Sequence, residues 1–217
     1  MDGNGRWAQS RGLSRRDGHQ AGFDNAIRIA KLVSRLEIPY LTLFAFSIEN
    51  WSRPPEEVAA IFRFMHSAQA RRELEGSGIR IGWLGSRTRL TTDQVDTMQE
   101  FVRDTSVNTG MTLSVAFNYS GRDDILQGVR KLLDGEVRGD DLNAELLERQ
   151  LMTSGIPDPD LVIRTGREQR ISNFLLWQAA YSELYFSRQL WPDFGRRHLM
   201  TALRSYARRK RRFGRVD

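Results

Sequence analysis

Five short apolar runs are separated by stretches whose apolar residues recur at helical spacing. The runs are Tyr40–Ser47 (YLTLFAFS), Ile79–Leu84 (IRIGWL), Thr112–Phe117 (TLSVAF), Leu161–Arg164 (LVIR) and Glu183–Phe186 (ELYF). A strand buried on both faces reads as a near-continuous apolar run, whereas an amphipathic helix repeats every three or four positions. Alternation of the two confines the chain to an α/β arrangement, because parallel strands need crossovers and helices supply them. The helical stretches are Ala21–Leu36, a segment opened by Pro54-Pro55-Glu56-Glu57 with Val58, Ile61, Phe62 and Met65 on one face, Thr91–Thr105, Asp123–Leu133, Asn143–Met152, Phe174–Ala180 and His198–Arg212. The predicted fold is a central, mainly parallel sheet flanked by helices. Without a linker, repeat or composition shift, 1–217 reads as one domain.

In open parallel sheets, ligands bind beyond the carboxyl ends of the strands. Three polar clusters fall at such ends: Ser47–Arg53, Asn118–Arg122 and Arg164–Asn173. Two stretches suit diphosphates. Met1–Trp7 (MDGNGRW) brings an acid, two glycines and an arginine together, and glycine lets the backbone approach an anion at the start of a helix. Arg164–Asn173 (RTGREQRISN) combines Arg164, Arg170 and the Ser172 hydroxyl, a set suited to forked recognition of phosphate oxygens. Two anion sites predict an enzyme that joins two diphosphates.

Asp2 and Glu183 are the candidate ligands for a hard metal, because Mg²⁺ takes one or two carboxylates plus substrate phosphates. His19, just before the helix predicted from Ala21, reads as a phosphate contact. His66 and His198 read as structural or surface residues, and Asp158 and Asp160 as turn residues. The sequence has no paired-histidine zinc spacing and no G-x-x-x-x-G-K-[ST] loop. It contains no cysteine, which excludes disulfides and thiolate metal sites. The formal charge of +6 suits an anionic partner. The basic run Arg208–Arg212 follows Leu199, Leu203 and Tyr206, a spacing that predicts a docked helix with a solvated face rather than a nucleic-acid arm. With no apolar run near ~18 residues and no signal-like start, the expectation is a cytoplasmic protein with at most peripheral membrane contact.

The blocks MDGNGRWA, GHQAG, FAFSIENWSRP, NTGMTLSVAFNYSGR, PDPDLVIRTGREQRISNFLLWQAAYSELYF and LWPDF closely resemble the cis-prenyltransferases of the undecaprenyl diphosphate synthase type. The resemblance runs from residue 1 to RRFG. It implies the ζ-type α/β fold, a homodimer, and Mg²⁺-dependent condensation of an allylic diphosphate with isopentenyl diphosphate. On matching positions, Asp2 resembles the Mg²⁺-binding aspartate. Gly3, Asn4, Gly5, Arg6, Trp7, Arg15 and His19 resemble the allylic diphosphate site, and Arg164, Arg170 and Ser172 the isopentenyl diphosphate site. Asn50 and Arg53 match the polar pair near the reacting carbons, and Glu183 a second metal acid. Arg212 and Gly214 match a terminal segment that reaches into the partner subunit's site. Leu43, Ala45, Phe46, Ile61, Phe62, Met65 and Phe117 are available as apolar walls for the cation and the growing chain.

Several positions depart from the family pattern. Family members usually carry a strand directly before MDGNG, so the expectation here is either a start that lies further upstream or a sheet with one strand fewer. Arg167 stands where a glycine is common, Ile48 where a threonine is common, and Ser86 where aspartate is frequent. The segment after Pro55 is short and polar in its middle (His66, Ser67, Gln69), which predicts a short product, or a branched one of the lavandulyl type. A non-catalytic partner subunit is disfavoured because Asp2, Arg6, Asn50, Arg53, Arg164, Arg170, Ser172 and Glu183 are all present.

Overall fold

The structure, a computed structural model, describes residues 1–63, 72–73 and 76–209. Its elements run α1 (Asn4–Gln9), α2 (Arg15–Arg35), β1 (Tyr40–Ser47), α3 (Pro55–Arg63), β2 (Arg80–Leu84), α4 (Thr92–Asp104), β3 (Thr112–Tyr119), α5 (Gly121–Asp134), α6 (Ala144–Glu148), β4 (Leu161–Arg164), β5 (Glu183–Phe186) and α7 (Arg196–Ala207). The chain divides into two compact units: Met1–Leu32 with Asp158–Ser172 and Gln178–Asp217, and Val33–Pro157 with Asn173–Trp177.

The unit centred on Val33–Pro157 holds a parallel sheet in the order β1-β3-β2. Register runs from Tyr40↔Thr112 and Arg80↔Thr112, with irregularities around Phe46 on β1. The central strand β3 is buried along most of its length, as expected of a parallel strand covered on both faces. Below the sheet Phe46, Val58, Phe62, Met98 and Phe117 form one apolar core. The helices start where side chains satisfy their first amides. Thr91 exchanges hydrogen bonds with Gln94, and Ser120 and Asn143 cap α5 and α6.

The other unit holds a two-stranded parallel sheet, β4 with β5, paired from Leu161↔Glu183 to Arg164↔Phe186. Here α2 begins six residues before the predicted start at Ala21. Ser14 and Asp17 form a reciprocal cap: the Ser14 N–H and Oγ donate to Asp17 Oδ2 (3.0 and 2.7 Å), and the Asp17 N–H returns to Ser14 Oγ (3.2 Å). Arg15 and His19 therefore lie within the first turns of α2 rather than before it. The segment 174–180 is a series of turns, not the predicted helix, since Asn173 and Leu175 take positive φ values of 63° and 46°. The helix predicted to reach Met152 stops at Glu148. The polar middle of the predicted segment after Pro55, with Met65 and His66, lies outside the described residues.

Candidate active site

The loop after β4 and the loop leading into α1 are laced together by Thr165. Its hydroxyl accepts the Asp2 N–H and donates to the Asp2 carbonyl, both at 2.9 Å, and the Trp191 N–H adds a bond to that carbonyl at 3.0 Å. Two glycines permit this closeness. Gly3 has φ +113°, and a Cβ there would lie 3.0 Å from the Leu190 Cα. Gly166 has φ +89°, and a Cβ there would meet the Asp2 carbonyl oxygen and Arg6 Nη2 at 2.9 Å. Left-handed backbone favours glycine, and neither site has room for a side chain.

This clamp gathers five charged groups in alternating sign. Arg164 Nη2 lies 2.9 Å from Asp2 Oδ2, and Arg6 bridges Asp2 Oδ1 (3.3 Å) and Glu168 Oε1 (3.4 Å). Glu168 Oε2 in turn lies 2.6 Å from Arg170 Nη1. Arg164 Nη1 also donates to the Ser172 hydroxyl at 2.7 Å and to the Arg170 carbonyl. Asp2 and Arg6 from the first predicted loop thus meet Arg164, Arg170 and Ser172 from the second. Burial disfavours the charged form of Asp2, but the hydrogen bond and charge of Arg164, followed by the charge of Arg6, outweigh it and hold its carboxyl below the usual value. Arg164 Nε is buried and without a hydrogen-bond partner in the structure, a donor left over for a ligand.

The remaining residues of the first loop are set by α2. Gly18 and Gly22 are one turn apart, and α1 packs onto the gap they leave. A Cβ at Gly18 would sit 2.3 Å from the Asn4 carbonyl oxygen, and one at Gly22 would sit 2.4 Å from Asn4 Oδ1. The Arg15 guanidinium carbon stands 3.7 Å from where a Cβ on Gly5 would lie, so this arginine flanks the glycine loop. His19 is half-buried on α2. Trp7 has a supporting part: its Nε1–H donates to Asp193 (2.8 Å), and the Arg11 guanidinium lies 4.4 Å from its ring centroid.

Glu183 is not brought into this cluster. It begins β5 opposite Leu161, three residues before the level of Arg164, roughly 10 Å along the strand. It is ion-paired with Arg209. The described residues contain no group of three or more acidic, histidine or cysteine side chains able to hold a metal. One ionised carboxylate, Asp2, beside two loops rich in guanidinium and amide donors still fits Mg²⁺, which takes a carboxylate and completes its shell with phosphate and water oxygens.

Asn50 and Arg53 sit after β1 in the other unit. Asn50 Oδ1 accepts the Ser47 N–H (3.1 Å), and Arg53 lies 3.3 Å from the buried Glu57. Asn173, absent from the predicted site, ties that unit's polar clusters together. Its amide donates to Glu49 and Ser120, both at 2.6 Å, and its Oδ1 accepts the Arg122 N–H at 2.9 Å. Its place directly after Ser172, and the tolerance of asparagine for left-handed backbone, were the available signals. Of the predicted apolar walls, Phe46, Phe62 and Phe117 pack ring on ring with centroids 5.0–5.4 Å apart. Arg212 and Gly214 lie outside the described residues.

Parallel sheets flanked by helices, with arginines and a carboxylate converging beyond the carboxyl end of β4, define an α/β protein of the class whose ligands bind beyond the strand ends. The family model described as "Putative undecaprenyl diphosphate synthase" matches residues 1–214. An isoprenyl transferase of Aquifex aeolicus is 50% identical, covering 100% of this chain and 94% of that protein, and one of Porphyromonas gingivalis is 46% identical, covering 100% and 88%. The crystal structure of lavandulyl diphosphate synthase from Lavandula x intermedia, in complex with dimethylallyl diphosphate, superposes with a TM-score of 0.90 at 36% identity, covering 99% of this chain and 95% of that one. That of a probable undecaprenyl diphosphate synthase from Campylobacter jejuni gives 0.81 at 29% identity, covering 90% and 93%. The chain belongs to the undecaprenyl diphosphate synthase family and is a prenyltransferase of isoprenoid biosynthesis.

Proposed function

We propose that this cis-prenyltransferase condenses an allylic diphosphate with isopentenyl diphosphate in a Mg²⁺-dependent ionisation–condensation–elimination, as a homodimer in the cytoplasm, and releases a short or medium prenyl diphosphate. The observation that carries the reading is the joining of Asp2 and Arg6 to Arg164 and Ser172 in one laced cluster. The allylic C–O bond breaks, and the diphosphate leaves with its electron pair. The amides of Gly3–Gly5 with Arg6, Arg15 and His19 hold that leaving group. The isopentenyl double bond then attacks the allylic carbon, its diphosphate held by Arg164, Arg170 and Ser172. A proton departs from the new cation to a diphosphate oxygen, and the family resemblance gives Asn50 and Arg53 the part of the polar pair that serves the reacting carbons. Asp2 would hold Mg²⁺, which would supply charge neutralisation of the diphosphate, while Glu183, apart from Asp2 and paired with Arg209, is left out of that assignment. The ring cluster of Phe46, Phe62 and Phe117, with Phe46 stacked on Phe117 and Phe62 edge-on to both, supports a short product, since packed rings occupy volume that a long chain would need.

The likeness to a lavandulyl diphosphate synthase favours a second reading, in which one dimethylallyl diphosphate attacks another to give a branched product. Incubation with dimethylallyl, geranyl or farnesyl diphosphate, each with and without isopentenyl diphosphate, followed by mass and NMR analysis of the dephosphorylated product, separates the two. A short linear product supports the first reading, and a branched product from dimethylallyl diphosphate alone supports the second. A long linear polyprenyl overturns the short-product assignment, and no product from any combination overturns catalysis.

A further inference from the structure

Beside the laced cluster, a cavity of about 580 Å³ is lined by Arg167, Gln169, Phe186, Ser187 and Arg188. We propose that it is a third anion site, separate from the allylic and isopentenyl sites of the proposed function, that takes the phosphate end of a small diphosphate. The distribution of ion pairs points to it. Arg6, Arg164 and Arg170 each stand against a carboxylate, and so does Arg209. Among the described residues, Arg167 and Arg188 have none. Arg167 uses only its Nε, which donates to the Arg188 carbonyl at 3.3 Å, and both its η nitrogens stay unengaged. The Arg188 guanidinium and the Gln169 amide make no hydrogen bond to described residues. Ser187 is buried, and its hydroxyl accepts the Gln189 N–H at 3.2 Å while its own proton has no acceptor there. The lining therefore presents two forked cations beside an amide and a hydroxyl, and no carboxylate faces either guanidinium among the described residues, which suits phosphate oxygens.

Backbone geometry holds the lining in place at a cost. Arg167 has φ +68°, a conformation uncommon for a side chain of its size, kept by its N–H bond to the Ser187 carbonyl (3.1 Å). Such strain persists where the surroundings over-determine it, and ligand sites are where it concentrates. The volume falls within the roughly 300–1,000 Å³ usual for small-molecule sites and exceeds what a bare diphosphate fills. Phe186, half-buried at the wall, offers an apolar surface to an organic tail. The shared chemistry is a diphosphate group, either inorganic pyrophosphate or the head of an organic diphosphate.

Equilibrium titration of the full chain, reading stoichiometry rather than turnover, tests this with inorganic pyrophosphate and dimethylallyl diphosphate as probes. The expected result is three equivalents per chain, two at the allylic and isopentenyl sites of the proposed function and one in this cavity. Arg167→Gln/Arg188→Gln weakens one of them on the order of a hundredfold, through the loss of two charge-assisted contacts. Arg164→Gln weakens a different one. Tighter binding of dimethylallyl diphosphate at the affected site, lost in Phe186→Ala, assigns the organic source; equal binding assigns the inorganic one. Arg167→Gly, which relieves the positive φ, gives a folded variant with the same direction of change. No more than two equivalents in the wild type, or three equivalents unchanged in both Arg167 variants, overturns the proposal. Failure of the prenyl-transfer reading would show instead as absent turnover with this stoichiometry intact.

Discussion

A methyl group added at Gly18 sets two opposing effects against each other on one helix. Alanine is the better helix former by about 1 kcal/mol, so on propensity alone Gly18→Ala in α2 should stabilise the protein. The new Cβ would, however, sit 2.3 Å from the Asn4 carbonyl oxygen and 2.9 Å from the Ala8 Cβ. Ordinary contact needs well over 3 Å, so α1 must retreat by about 1 Å, and its backbone, unlike a side-chain tip, has no rotamer to escape into. Overpacking of this kind costs typically 1–3 kcal/mol and here reaches the upper end, leaving a net loss of about 2 kcal/mol. For a chain of this size that lowers Tm by roughly 4–8 °C. The larger effect falls on activity, because α1 carries Asn4 and Arg6, and a 1 Å displacement of substrate-positioning groups can cost on the order of a hundredfold in turnover. Thermal unfolding and steady-state assays on Gly18→Ala read both. As a comparison, Gly128→Ala on α5 meets side-chain atoms alone, the tips of Leu147 at 3.0 Å and Leu151 at 3.3 Å, and should show no comparable loss of turnover. A Gly18→Ala protein as stable and as active as the wild type would refute the close-packing account of the first loop.

Asp2→Ala, with the fold kept, should abolish prenyl transfer, as should removal of divalent metal with a chelator; near-normal rates in either case contradict the metal assignment. The lowered pKa of Asp2 gives a signed prediction. A depressed carboxylate contributes stability that is full above its unfolded value, near 3.9, and is lost as pH falls through its lower folded value. The stability gap between wild type and Asp2→Asn in urea titrations should therefore close on acidification and stay constant above about pH 5. A gap that widens toward acid refutes the Arg164 pairing as its cause. Asn173→Ala loses three side-chain hydrogen bonds and a residue tolerant of φ +63°, and should destabilise by about 2–4 kcal/mol as read from the urea midpoint. Trp7→Phe removes one hydrogen bond to Asp193 and should cost about 1 kcal/mol with little change in diphosphate affinity; a large affinity loss would place Trp7 against substrate instead.

Strand positions were legible because buried parallel strands write themselves as apolar runs. Tyr40–Ser47, Leu161–Arg164 and Glu183–Phe186 have the limits read from the sequence. Helix starts were less legible. Two glycines in the first turns of α2 hid its beginning, although Ser14-x-x-Asp17 carries the capping signal. Those same glycines belong to packing rather than to local propensity, and packing is not written in any one segment. The turns at 174–180 were misread because LLWQAA has helical composition, whereas Asn173, at a positive φ, is held by tertiary hydrogen bonds to Glu49, Ser120 and Arg122, and Leu175 takes a positive φ two residues on. In the site, the charges of the two loops were visible, but their pairing partner Glu168 and the lacing hydroxyl of Thr165 were not. Both depend on which loops meet, as does the separation of Glu183 from Asp2.

The alternating row Arg170, Glu168, Arg6, Asp2, Arg164 carries three positive and two negative charges, so at rest it shows a visitor a net charge of only +1. A monovalent anion such as chloride gains little there, because it must loosen a carboxylate already lying about 3 Å from each cation. A multiply charged diphosphate can compensate several guanidinium groups at once, and a cation arriving at Asp2 releases Arg6 and Arg164 to face it. The row therefore discriminates by valence as well as by shape, rejecting the abundant small anions of a salty solution without any steric gate.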